Sequence, residues 1–162
     1  MSIAQVKQVW LQSYKTTYSE LFSQSYLDNL TVKAYLGNLK RSYTQEKIEN
    51  GHYLFVAELE TGEMVGYAYC ACNVFPEIDG VLYELFLLEE YQGRNIGSEL
   101  FDRSKSRLLE QGCQTMFLWC IEKTPACKFY EHLGGVASDR KLETIQGVEI
   151  TDVLYSFELR NS

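Results

Sequence analysis

No stretch of this chain approaches the roughly 18–20 consecutive apolar residues that a membrane-spanning helix needs. Residues 1–20 are polar and amphipathic and lack the apolar segment of a secretion signal. No repeat, linker or low-complexity segment divides the 162 residues, so the sequence predicts one domain over 1–162 with a single sizeable core. Basic charge is scarce, with 15 Lys and Arg against 22 Asp and Glu, a net charge of −7. That balance argues against nucleic acid or an anionic membrane as a partner and leaves room for a cationic substrate. There are only two histidines, and the five cysteines are odd in number and scattered through apolar runs such as "YCAC" and "FLWCI". Neither a disulfide framework nor a metal centre has the spacing it requires, which predicts reduced core thiols, no metal and a cytoplasmic location.

What remains is an ordinary globular composition, 46% hydrophobic and 23% charged. Ile3, Val6, Trp10 and Tyr14 recur at helical spacing and predict an amphipathic first helix. A second helical tract is predicted from about Tyr18 to Tyr43, with Gly37 as a break. Residues 53–59 and "MVGYAYCAC" flank the turn "ETGE" and predict a hairpin of half-buried strands. After a predicted loop "NVFPEIDG", residues 81–88 predict a third strand. Ile96, Leu100, Phe101, Ser104 and Leu108 then trace one helix face, which Gly112 closes. "TMFLWCI", residues 115–121, is too apolar for an edge and predicts a buried parallel strand. Thr124 and Pro125 open a short helix that ends at Gly134. Strands are predicted at about 136–143 and 148–159. The sum is a mixed α/β sheet with a central parallel crossover.

Between the third strand and its helix lies "EEYQGRNIGSELF", residues 89–101. Glycines there expose consecutive backbone N–H groups, and the helix start adds unpaired donors and a positive dipole end. Such a nest suits a phosphate or pyrophosphate. Asn95 is the non-glycine residue that best tolerates positive φ. No Lys-Ser/Thr pair follows, so this is not a P-loop, and the three-glycine dinucleotide spacing is absent. The loop alone leaves open a tight turn that holds no ligand.

The segment "YELFLLEEYQGRNIGSELF" resembles the (Gln/Arg)-x-x-Gly-x-(Gly/Ala) region of the GNAT superfamily of acyl-CoA-dependent N-acyltransferases. "ACKFYEHLGG", residues 126–135, is similar to that family's A-x-x-F-Y-E-x-L-G helix. The N-terminal half resembles the family's first two helices and hairpin, so nearly the whole chain is covered. Asn95 stands where a middle glycine is usual, Lys123-Thr124 where an asparagine is common, and Gly135 where phenylalanine is usual. Because the first predicted element is a helix, the family's first strand is expected to be missing or very short.

The resemblance implies a GNAT-like fold, a mostly antiparallel sheet with a central parallel pair flanked by helices. It implies acetyl-CoA as co-substrate, with Gln92, Gly93, Arg94, Asn95, Ile96, Gly97 and Ser98 around its pyrophosphate. Lys123 and Ala126 would stand near the coenzyme. The backbone of Leu85, Phe86 and Leu87 would pair with the pantetheine arm, in a gap where two strands splay apart.

Acyl transfer to an amine needs a neutral nucleophile, donors for an oxyanion and a proton for the leaving thiolate. By the resemblance Tyr130 is the acid. Its other reading is an aromatic that packs the helix on the sheet. Glu84 interrupts an apolar run, where burial of a carboxylate is costly unless it faces water or a site. It is the candidate base, or else a solvated strand-edge glutamate, and Glu122 is the reserve. Cys70 and Cys72 read as core. Cys120 and Cys127 are placed to approach each other, without sign of nucleophilic catalysis. His52 is expected in a turn and His132 exposed on the last helix. Trp10, Tyr14 and Tyr18 are expected mostly in the core, with part of that stripe beside the acceptor. The reading is an N-acetyltransferase acting on a small or peptide amine; the alternative is a non-catalytic CoA-binding or structural domain of the same fold. Exposed edges at the C-terminal strands leave room for a homodimer.

Overall fold

A computed structural model describes residues 3–35 and 43–160. Helix α1, Ile3–Thr17, turns Val6, Val9, Trp10 and Tyr14 inward, all of them buried. Each such side chain contributes about 1.5–3 kcal/mol on leaving water, enough to dock a helix of modest propensity. Over residues 18–35 the predicted second helical tract breaks instead into α2, Gln24–Asp28, and a 3-10 turn, Val32–Ala34. Ser23 caps α2 by accepting from the Tyr26 amide, and Thr31 is already extended, which stops it. Gly37 lies outside the described residues. A short helix that the sequence reading did not anticipate, α3, Gln45–Glu49, is capped by Thr44.

Strands β1, His52–Glu58, β2, Met64–Phe75, and β3, Ile78–Leu87, form a meander. The predicted loop "NVFPEIDG" is therefore mostly strand. Val74 and Ile78 extend the two strands, and Pro76-Glu77 alone make the turn. Helix α4, Ile96–Glu110, crosses to β4, Thr115–Ile121, whose bounds match the sequence reading. Helix α5, Pro125–His132, then leads to the hairpin β5, Val136–Ile145, and β6, Val148–Glu158.

The six strands run β1-β2-β3-β4-β6-β5. All pairs are antiparallel except β3 and β4, the predicted central parallel pair. That pair is held at only two positions, Gly80 with Met116 and Val81 with Phe117. Beyond them β3 stays with β2 as far as Leu87, while β4 stays with β6 as far as Ile121. The sheet is thus closed at one end and split at the other.

One face carries α4 and α5 over a core that includes Leu82, Leu118, Tyr130 and Phe157. Phe101 of α4 is wholly buried there, its ring 4.9 Å from Phe157 and 6.1 Å from Tyr130. The other face carries α1 over Val65, Tyr67, Tyr69 and Leu88. Strand β5 is an almost fully exposed edge. Among the described residues no helix is long and apolar enough to cross a membrane.

Candidate active site

The split between β3 and β4 leaves one edge of β3 without a strand partner over residues 82–87. Leu85, Phe86 and Leu87 lie on that edge. Leu85 turns to the α4–α5 core and Phe86 and Leu87 to the α1 core. The Leu87 carbonyl already accepts from Gln92 Nε2 at 3.3 Å, which ties the loop to the strand end.

A β-bulge interrupts the pairing of β2 with β3: Tyr69 faces Glu84, but its neighbour Cys70 faces Leu82, leaving Tyr83 unmatched. Bulges re-aim the side chains next to them. Here the bulge turns Glu84 into the α1 face of the sheet, beside Tyr67 and Tyr69. Glu84 is 5% exposed, so it is not the solvated strand-edge residue of the alternative reading. Its Oε1 accepts from the Tyr35 hydroxyl at 2.5 Å and from the Tyr67 hydroxyl at 2.8 Å. An unpartnered buried carboxylate costs several kcal/mol. Hydrogen bonds to a charged group return about 1.5–3 kcal/mol each, so the two tyrosines hold it in place. Burial, then the neighbouring Glu84 charge, pushes the Tyr67 hydroxyl far above its ordinary range.

At the end of β3 a 3-10 turn, Glu89–Tyr91, leads into the glycine loop. The Gln92 amide bonds to Glu89 O, and the next amide with a backbone acceptor outside the helix ladder is Glu99, bonded to Asn95 O. The amides of residues 93–98 between them find no backbone acceptor. Gly93 sits at φ +74° and Asn95 at φ +67°, both left-handed. Asn95 is the N-cap of α4 but caps with no side-chain hydrogen bond, so these amides stay open. Gln92, Gly93, Arg94 and Asn95 are exposed, while Ile96, Gly97 and Ser98 are half-buried. The Arg94 guanidinium lies 5.2 Å from the centre of the Tyr91 ring. Six free amides at the start of a four-turn helix make a cradle suited to a pyrophosphate.

On the opposite face α5 carries Tyr130, 7% exposed and ringed by Phe101, Phe129, Tyr155 and Phe157. Burial drives its hydroxyl well above the ordinary tyrosine range, with lesser effects from Cys120, Tyr18 and Cys127. The hydroxyl makes no hydrogen bond among the described residues. Ahead of it, Lys123 takes a left-handed φ of +65° and is exposed, and Ala126 packs against the core. Thr124 stands at the N-cap, yet its hydroxyl does not cap: it donates to Ile121 O at 2.7 Å. The structure therefore puts Glu84 and Tyr130 on opposite faces of the split sheet, with the amide loop at its open end.

Other expectations fare variously. His52 lies in β1, not in a turn, with Nδ1 2.6 Å from the Tyr69 hydroxyl; burial lowers its pKa. His132 is exposed, as expected. Glu122 is half-exposed with Arg140 4.0 Å away. All five cysteines are free. Sequence reasoning missed Tyr35, Tyr67 and Asp152. Asp152 is 7% exposed, and burial followed by the hydrogen bond to Glu143 pushes it up to about 6. Asp152 had a readable signal, a carboxylate amid the alternating strand "VEITDVLYSFE"; the tyrosines had none.

A sheet split between two parallel strands, with open amides at one strand end, sets a gap beside a turn suited to an anion. Residues 8–135 match the Acetyltransferase (GNAT) family. The chain belongs to that family and is an acetyl-CoA-dependent N-acetyltransferase. It is 32% identical over 131 residues to the uncharacterized N-acetyltransferase YuaI of Bacillus subtilis, covering 80% of this chain and 72% of that protein. It is 30% identical over 91 residues to the [ribosomal protein bS18]-alanine N-acetyltransferase of Haemophilus influenzae, covering 56% of this chain and 60% of that protein. Its fold is that of the PaiA N-acetyltransferase from Thermoplasma acidophilum, solved in complex with coenzyme A. That match has a TM-score of 0.66 at 18% identity and covers 98% of this chain and 95% of that one.

Proposed function

We propose that the chain moves the acetyl group of acetyl-CoA onto a primary amine by direct attack, with no acyl-enzyme. The observation that carries this reading is the pair Glu84 and Tyr130 on opposite faces of a sheet that splits between them. Coenzyme and amine would then meet at the gap from opposite sides.

In this reading the amides of Gly93 to Ser98, with Gln92 and Arg94, hold the pyrophosphate. The unpaired edge at Leu85, Phe86 and Leu87 takes the pantetheine arm as an added strand, and Lys123 and Ala126 border it. Glu84 removes the proton from the ammonium, whose ordinary pKa near ~10.4 would otherwise leave it unreactive. Tyr35 and Tyr67 fix the carboxyl in position. Tyr130 gives its proton to the departing sulfur, and its raised pKa keeps that proton in place at neutral pH. Asp152 and Glu143 add negative character, which suits a cationic acceptor. The Haemophilus relative is named for an alanine of a ribosomal protein, which supports a peptide amine beside small amines.

The test has two stages. Acetyl-CoA at ~100 times its dissociation constant should stabilise the protein by ~2.7 kcal/mol. Release of free CoA thiol should then depend on one member of a panel of polyamines, amino acids, amino sugars and peptides. No thermal shift at millimolar acetyl-CoA would end the reading.

A further inference from the structure

Cys120 ends β4 and Cys127 sits in the first turn of α5, and their sulfurs are 3.3 Å apart. The residues between them form the tight turn that contains left-handed Lys123. Both cysteines are buried, each 7% exposed, so only a small part of either residue meets solvent. Thr124 Oγ1 lies 3.7 Å from Cys120 Sγ and 3.9 Å from Cys127 Sγ. The hydrogen bond between the thiols lowers the pKa of Cys127 to about 6 and, with burial, raises that of Cys120. Burial works against the first shift, and Cys127 Sγ also lies 3.1 Å from the Ile121 carbonyl oxygen. Two other thiols differ, since burial pushes Cys70 and Cys113 up to about 12. Tyr130 follows Cys127 by one helical turn on the same buried face. Nothing in the proposed transfer uses either sulfur.

We propose that Cys120 and Cys127 form an oxidisable dithiol that hydrogen peroxide closes to a disulfide, and that closure slows acetyl transfer by dragging the first turn of α5 toward β4. The Cys127 sulfur attacks one peroxide oxygen, the O–O bond breaks, and the departing hydroxide takes a proton to become water. The Cys120 sulfur, giving up its proton, then attacks the sulfenic sulfur and displaces a second water. Two thiols are oxidised and one peroxide is reduced to two waters. A disulfide needs sulfurs about 2.05 Å apart, so the pair must close by roughly 1.2 Å. A misplacement of about 1 Å near reacting groups costs up to ~100-fold in rate. The effect on transfer rests on the role given to Tyr130 above; formation of the disulfide does not.

The test treats the reduced full-length protein with hydrogen peroxide and reads both chemistry and rate. Expected are an intact mass lower by two hydrogens, a fall from five titratable thiols to three, and a peptide linking Cys120 to Cys127. CoA release should fall tenfold or more and return with dithiothreitol. Cys120→Ser and Cys127→Ser should each keep the basal rate and lose the reversible response. Five thiols remaining after peroxide, a linkage between other cysteines, or oxygen addition without a cross-link would overturn the site. A disulfide with unaltered turnover would refute its coupling to α5. If the reduced protein transfers no acetyl group, the mass and peptide readouts still decide the dithiol, while the transferase reading fails separately.

Discussion

The hydroxyl of Tyr35 lies 2.5 Å from Glu84 Oε1, although 49 residues separate them along the chain. Tyr67 reaches the same oxygen from the neighbouring strand. The carboxyl group is thus aimed by contacts that no local pattern announces.

Glu84→Gln keeps the size of the side chain and removes the base. The turnover number should fall by on the order of 100- to 10,000-fold, with acetyl-CoA affinity little changed. Tyr35→Phe should lower turnover less and leave the fold intact. Steady-state kinetics beside a coenzyme titration would separate these effects; a Glu84→Gln enzyme of normal turnover removes Glu84 from the mechanism.

Tyr130→Phe leaves the aromatic packing with Phe101 and Phe157 and deletes only the hydroxyl. Turnover should drop by on the order of 100-fold while the thermal shift given by acetyl-CoA persists. Because burial raises the pKa of this phenol, the wild-type rate should also show no alkaline decline from Tyr130 across the ordinary range of assays. Unchanged turnover in the variant leaves Tyr130 a packing residue.

Asn95 occupies a left-handed conformation that costs most L-residues about 1–2 kcal/mol. Asn95→Ala should lower stability by ~1 kcal/mol and weaken coenzyme binding, since the neighbouring amides lose their orientation. Asn95→Gly should retain both. Calorimetric binding of CoA to the two variants is the check, and equal affinities would show that the loop does not depend on this φ.

Asp152 supplies a pH signature. Burial raises its folded pKa from 3.8 to about 6, so between those values the folded chain holds a proton that the unfolded chain has released. Stability from this group is present below pH ~4 and is lost as pH rises through ~6. Asp152→Asn should therefore melt higher than wild type at pH 8, with the difference vanishing near pH 4. A variant that melts lower at pH 8 would contradict the assignment.

Much of this molecule is legible in its sequence, for reasons that can be named. Strand β4 runs over seven mostly apolar residues between Gly112 and Thr124, so its bounds follow directly. The left-handed turn at Asn95 follows from a residue type that tolerates it. The turn at Pro76 is shorter than the predicted loop, because β-branched Val74 and Ile78 extend the strands on either side of it. The tract after Tyr18 has helical residues but is stopped at Asn29 to Thr31, and only the Ser23 cap marks the restart. The hydroxyl pair on Glu84 and the meeting of Cys120 with Cys127 are tertiary outcomes. Sequence could propose the second, because seven residues and one turn separate the thiols. It could not propose the first.

Two rungs are a thin seam for a sheet of six strands. Cohesion missing from the seam is supplied beneath it by Phe101, a keystone whose helix rests on β1, β2 and β3 while its ring is wedged against Phe157 of β6 and the aromatics of α5. Cutting that ring back to alanine would cost about 3–5 kcal/mol and leave the two half-sheets joined by little more than the seam. The opening proposed for the coenzyme and the ring that spans it are one mechanical unit, and neither can be widened without loosening the other.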